Sequence, residues 1–219
     1  MKLVDDVAEQ ILLESLLEET KPAFPPECAG LDYLLATPFR YGAVYPYGSR
    51  FRRAGRTLGV YYAAETVDTA LAEMAFYRLL FYAESPATPL PANAGDYTAF
   101  AARIETDRAL DLTLPPLARD AAAWTDPIDC ATCQALADAA RGGGIEAILY
   151  RSVRDPKGAR NIALLTAKGF ATREPVERQT WRIRLSATGV QALCDFPRRL
   201  VGFAIADFSG DPRLKGRFG

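Results

Sequence analysis

Apolar side chains at Val4, Val7, Ile11, Leu12, Leu16 and Leu17 recur at helical spacing, which predicts an amphipathic helix over residues 4–20. The next segment, KPAFPPECAG, breaks that pattern with prolines and a glycine and reads as a connector. From Thr37 to Gly59 no period survives, and the arginine- and glycine-rich stretch reads as long loops or irregular strands. LGVYYAAE is short, apolar and aromatic and predicts a buried strand. TVDTALAEMAFYRLLFYAE predicts a helix, because Thr66 or Asp68 can cap it and its Ala, Leu, Glu, Met and Arg residues favour it. YTAFAARIETDRALDLT alternates over one or two strands, and DPIDCATCQALADAARGGG predicts a helix that starts near Asp129 and stops at glycines. IEAILYRSV and NIALLT are two strands joined by the turn RDPKGAR, and QTWRIRLSA is a further strand with short elements around it. Helices spaced unevenly among strands, without a βαβ rhythm, imply an α+β arrangement around one sheet.

Composition narrows the function. At 219 residues the chain suits a single sizeable domain, and its net charge of −1 argues against general nucleic-acid binding. The N-terminus lacks the pattern of a secretory signal, and no apolar run approaches the ~18–20 residues of a membrane span, so a cytoplasmic location is expected. Cys28, Cys130, Cys133 and Cys194 are too scattered for a disulfide framework. The single CxxC lacks the second pair or histidine that a zinc tetrahedron needs, so no metal is expected. There is no histidine at all. That removes Ser-His-acid and Cys-His mechanisms and the usual neutral-pH proton shuttle.

Three groups of residues could carry chemistry. Glu73 has Thr69, Ala70, Phe76 and Tyr77 as its neighbours at three- and four-residue spacing, none of them basic. It lies either on a solvated edge of the helix or on an aromatic face where something outside the helix must compensate it. Arg40, Arg50, Arg52, Arg53 and Arg56 fall close together with Tyr41, Tyr45 and Tyr47 among them and no acid between. Guanidinium forks match phosphate oxygens and rings stack on planar heterocycles, so a dinucleotide fits; a surface patch paired with acids elsewhere fits as well. ILYRSVRDPKGARN ends a strand with Ser152 and Arg154, which are placed either for ligand contacts or simply for turn chemistry. GGGIEA matches a dinucleotide fingerprint only as letters, since a helix precedes it and a strand follows.

Taken together, TPFRYG with Arg40, GSRF with Arg50, YAAETVDTALAE with Tyr62 and Glu73, ILYRSVRDPKGARN with Ser152, and CQALADAAR resemble the RES-domain family, the toxin half of RES–Xre toxin–antitoxin pairs. The resemblance runs from about Thr37 to Thr166 and implies an N-terminal helical extension over residues 1–35 followed by a RES domain over 36–219. It implies an ADP-ribosyltransferase-like mixed β-sheet core with flanking helices and an extra N-terminal helix. It also implies cleavage of the nicotinamide–ribose bond of NAD+, with no cofactor beyond that substrate. In the roles so implied, Glu73, Arg40 and Ser152 are catalytic, and Arg40, Tyr41, Arg50, Tyr62, Ser152 and Asn161 hold NAD+. Of the neighbours Tyr61 and Tyr62, only one can face the pocket, since successive strand residues point to opposite faces, and the eleven-residue spacing to Glu73 favours Tyr62. The implied partner is an Xre-type helix-turn-helix antitoxin that blocks the pocket, with no membrane and no direct nucleic-acid contact. The alternatives are a mono-ADP-ribosyltransferase acting on a protein and a non-catalytic nucleotide- or protein-binding module.

Overall fold

The computed structural model describes residues 5–41 and 48–218. Val4, Tyr45 and Tyr47, singled out above, lie outside the described residues. The helices are α1 (Val7–Glu19), α2 (Tyr33–Arg40), α3 (Val67–Glu84), α4 (Ala121–Trp124), α5 (Ala131–Gly142) and α6 (Lys215–Phe218). The strands are β1 (Tyr61–Ala64), β2 (Gly95–Ala101), β3 (Ala109–Asp111), β4 (Ala147–Arg151), β5 (Arg160–Leu164), β6 (Glu177–Ser186), β7 (Gly189–Cys194) and β8 (Arg199–Ala204). The class is α+β. Among the described residues no helix is long and apolar enough to cross a membrane.

Two sheets form where one was expected. The first has the order β1-β5-β4-β3 and the second β2-β6-β7-β8, each with four strands. The stretch that alternates as one or two strands divides between them: β2 pairs antiparallel with β6, whereas β3 pairs parallel with β4. Local alternation sets which face a residue takes, but it carries no information about the partner strand. The second sheet is an antiparallel meander from β6 to β8, with β2 added along its edge.

Register in the first sheet decides which residues share a face. Tyr61 stands opposite Leu164, which stands opposite Ala147, and all three pack with Leu35 and Phe39 of α2. The other face carries the rows Tyr62–Ala163–Ile148 and Ala64–Asn161–Tyr150. Phe51 and Cys133 and Ala137 of α5 cover part of that face, with the Phe51 ring edge-on to Tyr150 at 4.9 Å. Against the second sheet, α3 packs Leu71, Phe76 and Leu79 on Trp181, Ile183 and Val190. The Thr66 hydroxyl caps α3 by accepting from the Thr69 amide at 3.2 Å, as the sequence predicts.

Two helices differ from their sequence reading. Thr37–Arg40 do not belong to a loop but finish α2, which Asp32 caps by accepting from the Leu34 amide at 2.8 Å. Leu35, Ala36 and Phe39 bury one face of this short helix, and that packing outweighs the bond lost at Pro38. Helix α1 forms, but none of its residues is buried, and Val7, Ile11, Leu12, Leu16 and Leu17 are all exposed. Their spacing turns a helix without presenting a face to the core. α5 ends at glycines as expected, and Gly144 adopts a positive φ of 73° before the chain enters β4.

Candidate active site

A cavity of about 390 Å³ opens between α3, the Ser49–Arg50 segment and the free part of the first sheet's Tyr62 face. Glu73, Met74 and Tyr77 of α3 form one wall, and Tyr62, Tyr150 and Asn161 of the sheet form the opposite one. Such a concave, mostly apolar space with few polar groups suits a small organic ligand.

Glu73 is met from outside its helix. The Ser152 hydroxyl donates to Glu73 Oε1 at 2.6 Å, and the Asn161 amide Nδ2 donates to the same oxygen at 2.7 Å. Both donors come from the β4–β5 hairpin, Ser152 just after β4 and Asn161 on β5, so one supersecondary unit fixes the carboxylate. Among the described residues Oε2 accepts no such bond, so the carboxylate keeps an oxygen for a ligand. Ser152 is in turn held as an acceptor by the backbone N–H groups of Arg154 at 3.2 Å and Asp155 at 3.0 Å. Asp155 accepts from the Thr69 hydroxyl at 2.9 Å, which ties the hairpin turn to α3 one helical turn before Glu73.

Tyr62 forms a second fixed point. Its hydroxyl shares a hydrogen bond with Ser49 Oγ at 2.8 Å and accepts from the Phe51 amide at 3.0 Å. Desolvation of that hydroxyl pushes its pKa up to about 12 although the ring is partly exposed at the cavity, so the phenol is neutral at ordinary pH. Tyr61 points the other way, edge-on to Phe170 at 5.0 Å, and burial pushes it to about 12 as well. Tyr150 lies deeper, and its burial raises its pKa well above the ordinary value.

The arginines separate. Arg50 lines the cavity, with Nη1 donating to the Trp124 carbonyl and Nη2 to the Asp126 carbonyl, each at 2.8 Å. These bonds fix the guanidinium while leaving other N–H groups of its fork for a ligand. The segment around it is held by Gln134 of α5, which donates to the carbonyls of Ser49 and Arg52. Arg40 lies away from the cavity lining. Its guanidinium pairs with Glu18 of α1, donates to the Pro22 carbonyl and stacks over the Phe24 ring at 4.4 Å. Tyr41 directly follows α2 and is likewise not among the cavity's lining residues. Arg53 pairs with Asp138 at 2.6 Å, the surface pairing that the sequence left open.

Arg154, a candidate for ligand contacts, is buried and is not among the cavity's lining residues. It is 5% exposed, pairs with the 2%-exposed Asp211 at 2.8 Å, and stacks on Phe76 at 3.9 Å. Sequence reading missed Tyr77, Tyr150 and Asp211 in this neighbourhood. Tyr77 entered only as a neighbour of Glu73 and Tyr150 only as part of a strand, and Asp211 lies in a segment with no periodic signal. Cys130 and Cys133 sit at the start of α5 as small residues, and the Cys133 thiol contacts Arg50 at 3.8 Å. Among the described residues no group of three or more Cys, Asp or Glu is placed to hold a metal ion.

No curated protein matches the chain. The family model described as RES domain matches residues 25–186, well over half of the chain. That range begins after α1, ends with β6, and includes every residue that lines the cavity. The chain therefore belongs to the RES domain family.

Proposed function

We propose that the protein consumes NAD+ by breaking the bond between nicotinamide and ribose, with Glu73 as the catalytic carboxylate. What carries this reading is the convergence of Ser152 and Asn161 on one oxygen of Glu73 at the wall of a tyrosine-lined cavity. As the C–N bond breaks, its electron pair passes to the pyridinium nitrogen and nicotinamide leaves neutral. No general acid is needed, which suits a chain without histidine. Positive charge develops on the ribosyl carbon and ring oxygen, and a preoriented carboxylate stabilises it. Since Ser152 and Asn161 hold Oε1, Oε2 would face that charge and then orient the incoming nucleophile.

The remaining residues would bind. Arg50 has spare guanidinium donors for the pyrophosphate, and Tyr62, Tyr77 and Tyr150 offer ring surface to the nicotinamide riboside. Arg40 acts at a distance in this reading, through the position of α2 rather than by contact. We propose with it a cytoplasmic toxin role and a helix-turn-helix antitoxin that would cover this cavity, a reading that membership of the RES domain family supports.

Purified protein incubated with NAD+, with and without phosphate, should release nicotinamide. Glu73→Gln keeps the size and loses the charge, and should lower the rate by about 10²–10³-fold or more at an unchanged unfolding midpoint. Free ADP-ribose would identify water as acceptor, its phosphorylated form phosphate, and labelled lysate proteins a transferase. A Glu73→Gln protein as active as the wild type would sink the assignment.

A further inference from the structure

We infer that Asp211, which lies beyond the family match, is a positioning residue that sets both Glu73 and Arg50 through Arg154; the catalytic part of this rests on the function proposed above. Asp211 belongs to the turn after β8 and is almost fully buried. Its Oδ2 pairs with Arg154 Nη1 at 2.8 Å, while Arg213 closes on it from the solvent side at 2.7 Å. Burial would raise the Asp211 pKa, but the Arg213 hydrogen bonds and the charges of Arg154 and Arg213 hold it below the usual carboxylate range.

From Arg154 two arms run to the cavity. One is the backbone: the Arg154 amide donates to Ser152 Oγ, and that hydroxyl donates to Glu73 Oε1. The other is the side chain: Arg154 Nη2 donates to the Pro127 carbonyl at 2.6 Å. Pro127 adjoins Asp126, whose carbonyl, with that of Trp124, anchors the Arg50 guanidinium. Phe76, under the Arg154 guanidinium, is three residues from Glu73 on α3, so the stack also fixes the spacing between helix and hairpin. A guanidinium buried at this point makes two directional contacts that an apolar filler of equal volume could not. The 124–127 segment is therefore held by Arg50 on the cavity side and behind it by Arg154, with Arg213 adding a longer contact to the same Pro127 carbonyl at 3.4 Å.

The test is the double substitution Arg154→Met with Asp211→Leu, which leaves no unpaired charge inside; replacing a buried pair by apolar side chains commonly preserves folding. Arg213 is partly exposed and stays solvated without its partner. With the unfolding midpoint retained, kcat for NAD+ consumption should fall on the order of tenfold to a hundredfold and KM should rise. Amide exchange at Arg154 and Asp155 should quicken at the same time. Wild-type kcat and KM in the folded double variant would overturn the inference and leave Asp211 a purely structural residue. Should the double variant not fold, Arg154→Lys carries the same comparison, since it keeps the charge opposite Asp211 but loses the fork to Pro127. If the wild type consumes no NAD+, the functional reading fails by itself. The exchange measurement then decides the positioning: unchanged protection at Arg154 and Asp155 overturns it and lost protection supports it.

Discussion

Phe51 is fully buried, and its amide N–H is satisfied by a side chain, the Tyr62 hydroxyl, rather than by a strand. A buried amide without a partner costs about 1–3 kcal/mol, so this bond ties the Arg50 segment to β1 more firmly than ring packing alone would. The same desolvation has a pH consequence. Tyr61 and Tyr62 are each pushed up to about 12 in the folded protein, whereas an unfolded tyrosine titrates near ~10. Between those values the folded state keeps protons that the unfolded state has released. Their contribution to stability is fully present below about pH 10 and is lost as pH rises through the folded value. Urea midpoints measured across that alkaline window should fall, and Tyr61→Phe should make the fall shallower. An equally steep fall in the variant would mean that other groups cause it.

The approach of α2 to β1 depends on Gly59. A Cβ there would lie 1.9 Å from the Pro38 carbonyl oxygen and 2.7 Å from Phe39 Cα, both backbone atoms that cannot rotate aside. Gly59→Ala should therefore push α2 off the face formed by Tyr61, Ala147 and Leu164, lowering the unfolding midpoint by the equivalent of about 1–3 kcal/mol or more. Thermal melting of the variant checks this, and a midpoint equal to the wild type's would show that α2 can shift without loss. Helix α1 is the opposite case: it contributes no buried side chain, and its links to α2 are the Glu18–Arg40 pair and the nearby Pro22 and Phe24 contacts. Arg40 is thus built into the junction of α1 and α2, which is where its guanidinium finds its partners.

Across the whole molecule, α3 joins the two sheets. Leu71, Phe76 and Leu79 pack against the second sheet, while Glu73 and Thr69 bond to the β4–β5 hairpin of the first. Trp181 is buried among the first set and Trp124 packs with Phe51 and α5 in the other core, so the two tryptophans report on different halves. Unfolding followed by the fluorescence of Trp124→Phe and of Trp181→Phe should give coincident transitions, as a single cooperative unit does. Separate midpoints would mean that the Glu73 and Thr69 bonds are too weak to couple the sheets, and that the cavity can open without global unfolding.

Much of this was legible in the chain itself. Caps, helix-favouring composition and glycine stops located α3 and α5, and short apolar runs bounded by turn residues located β1 and the β4–β5 pair, because each of these signals lies within a few residues. The absence of a basic neighbour around Glu73 on its own helix left two readings, a solvated edge or a partner from elsewhere, and strand alternation required Tyr61 and Tyr62 to part. Chain order could not say that the partner would be Ser152 together with Asn161, nor that Arg40 would turn to Glu18 while Arg50 reached the cavity. It also hid α2 behind Pro38, the second sheet behind alternation shared by β2 and β3, and Asp211 behind a segment without period. Local propensity and face are properties of neighbours in sequence, and so the sequence by itself determined them. Strand pairing, the meeting of charges far apart in the chain and the shape of a cavity depend on which distant surfaces come together, and only tertiary packing decided those.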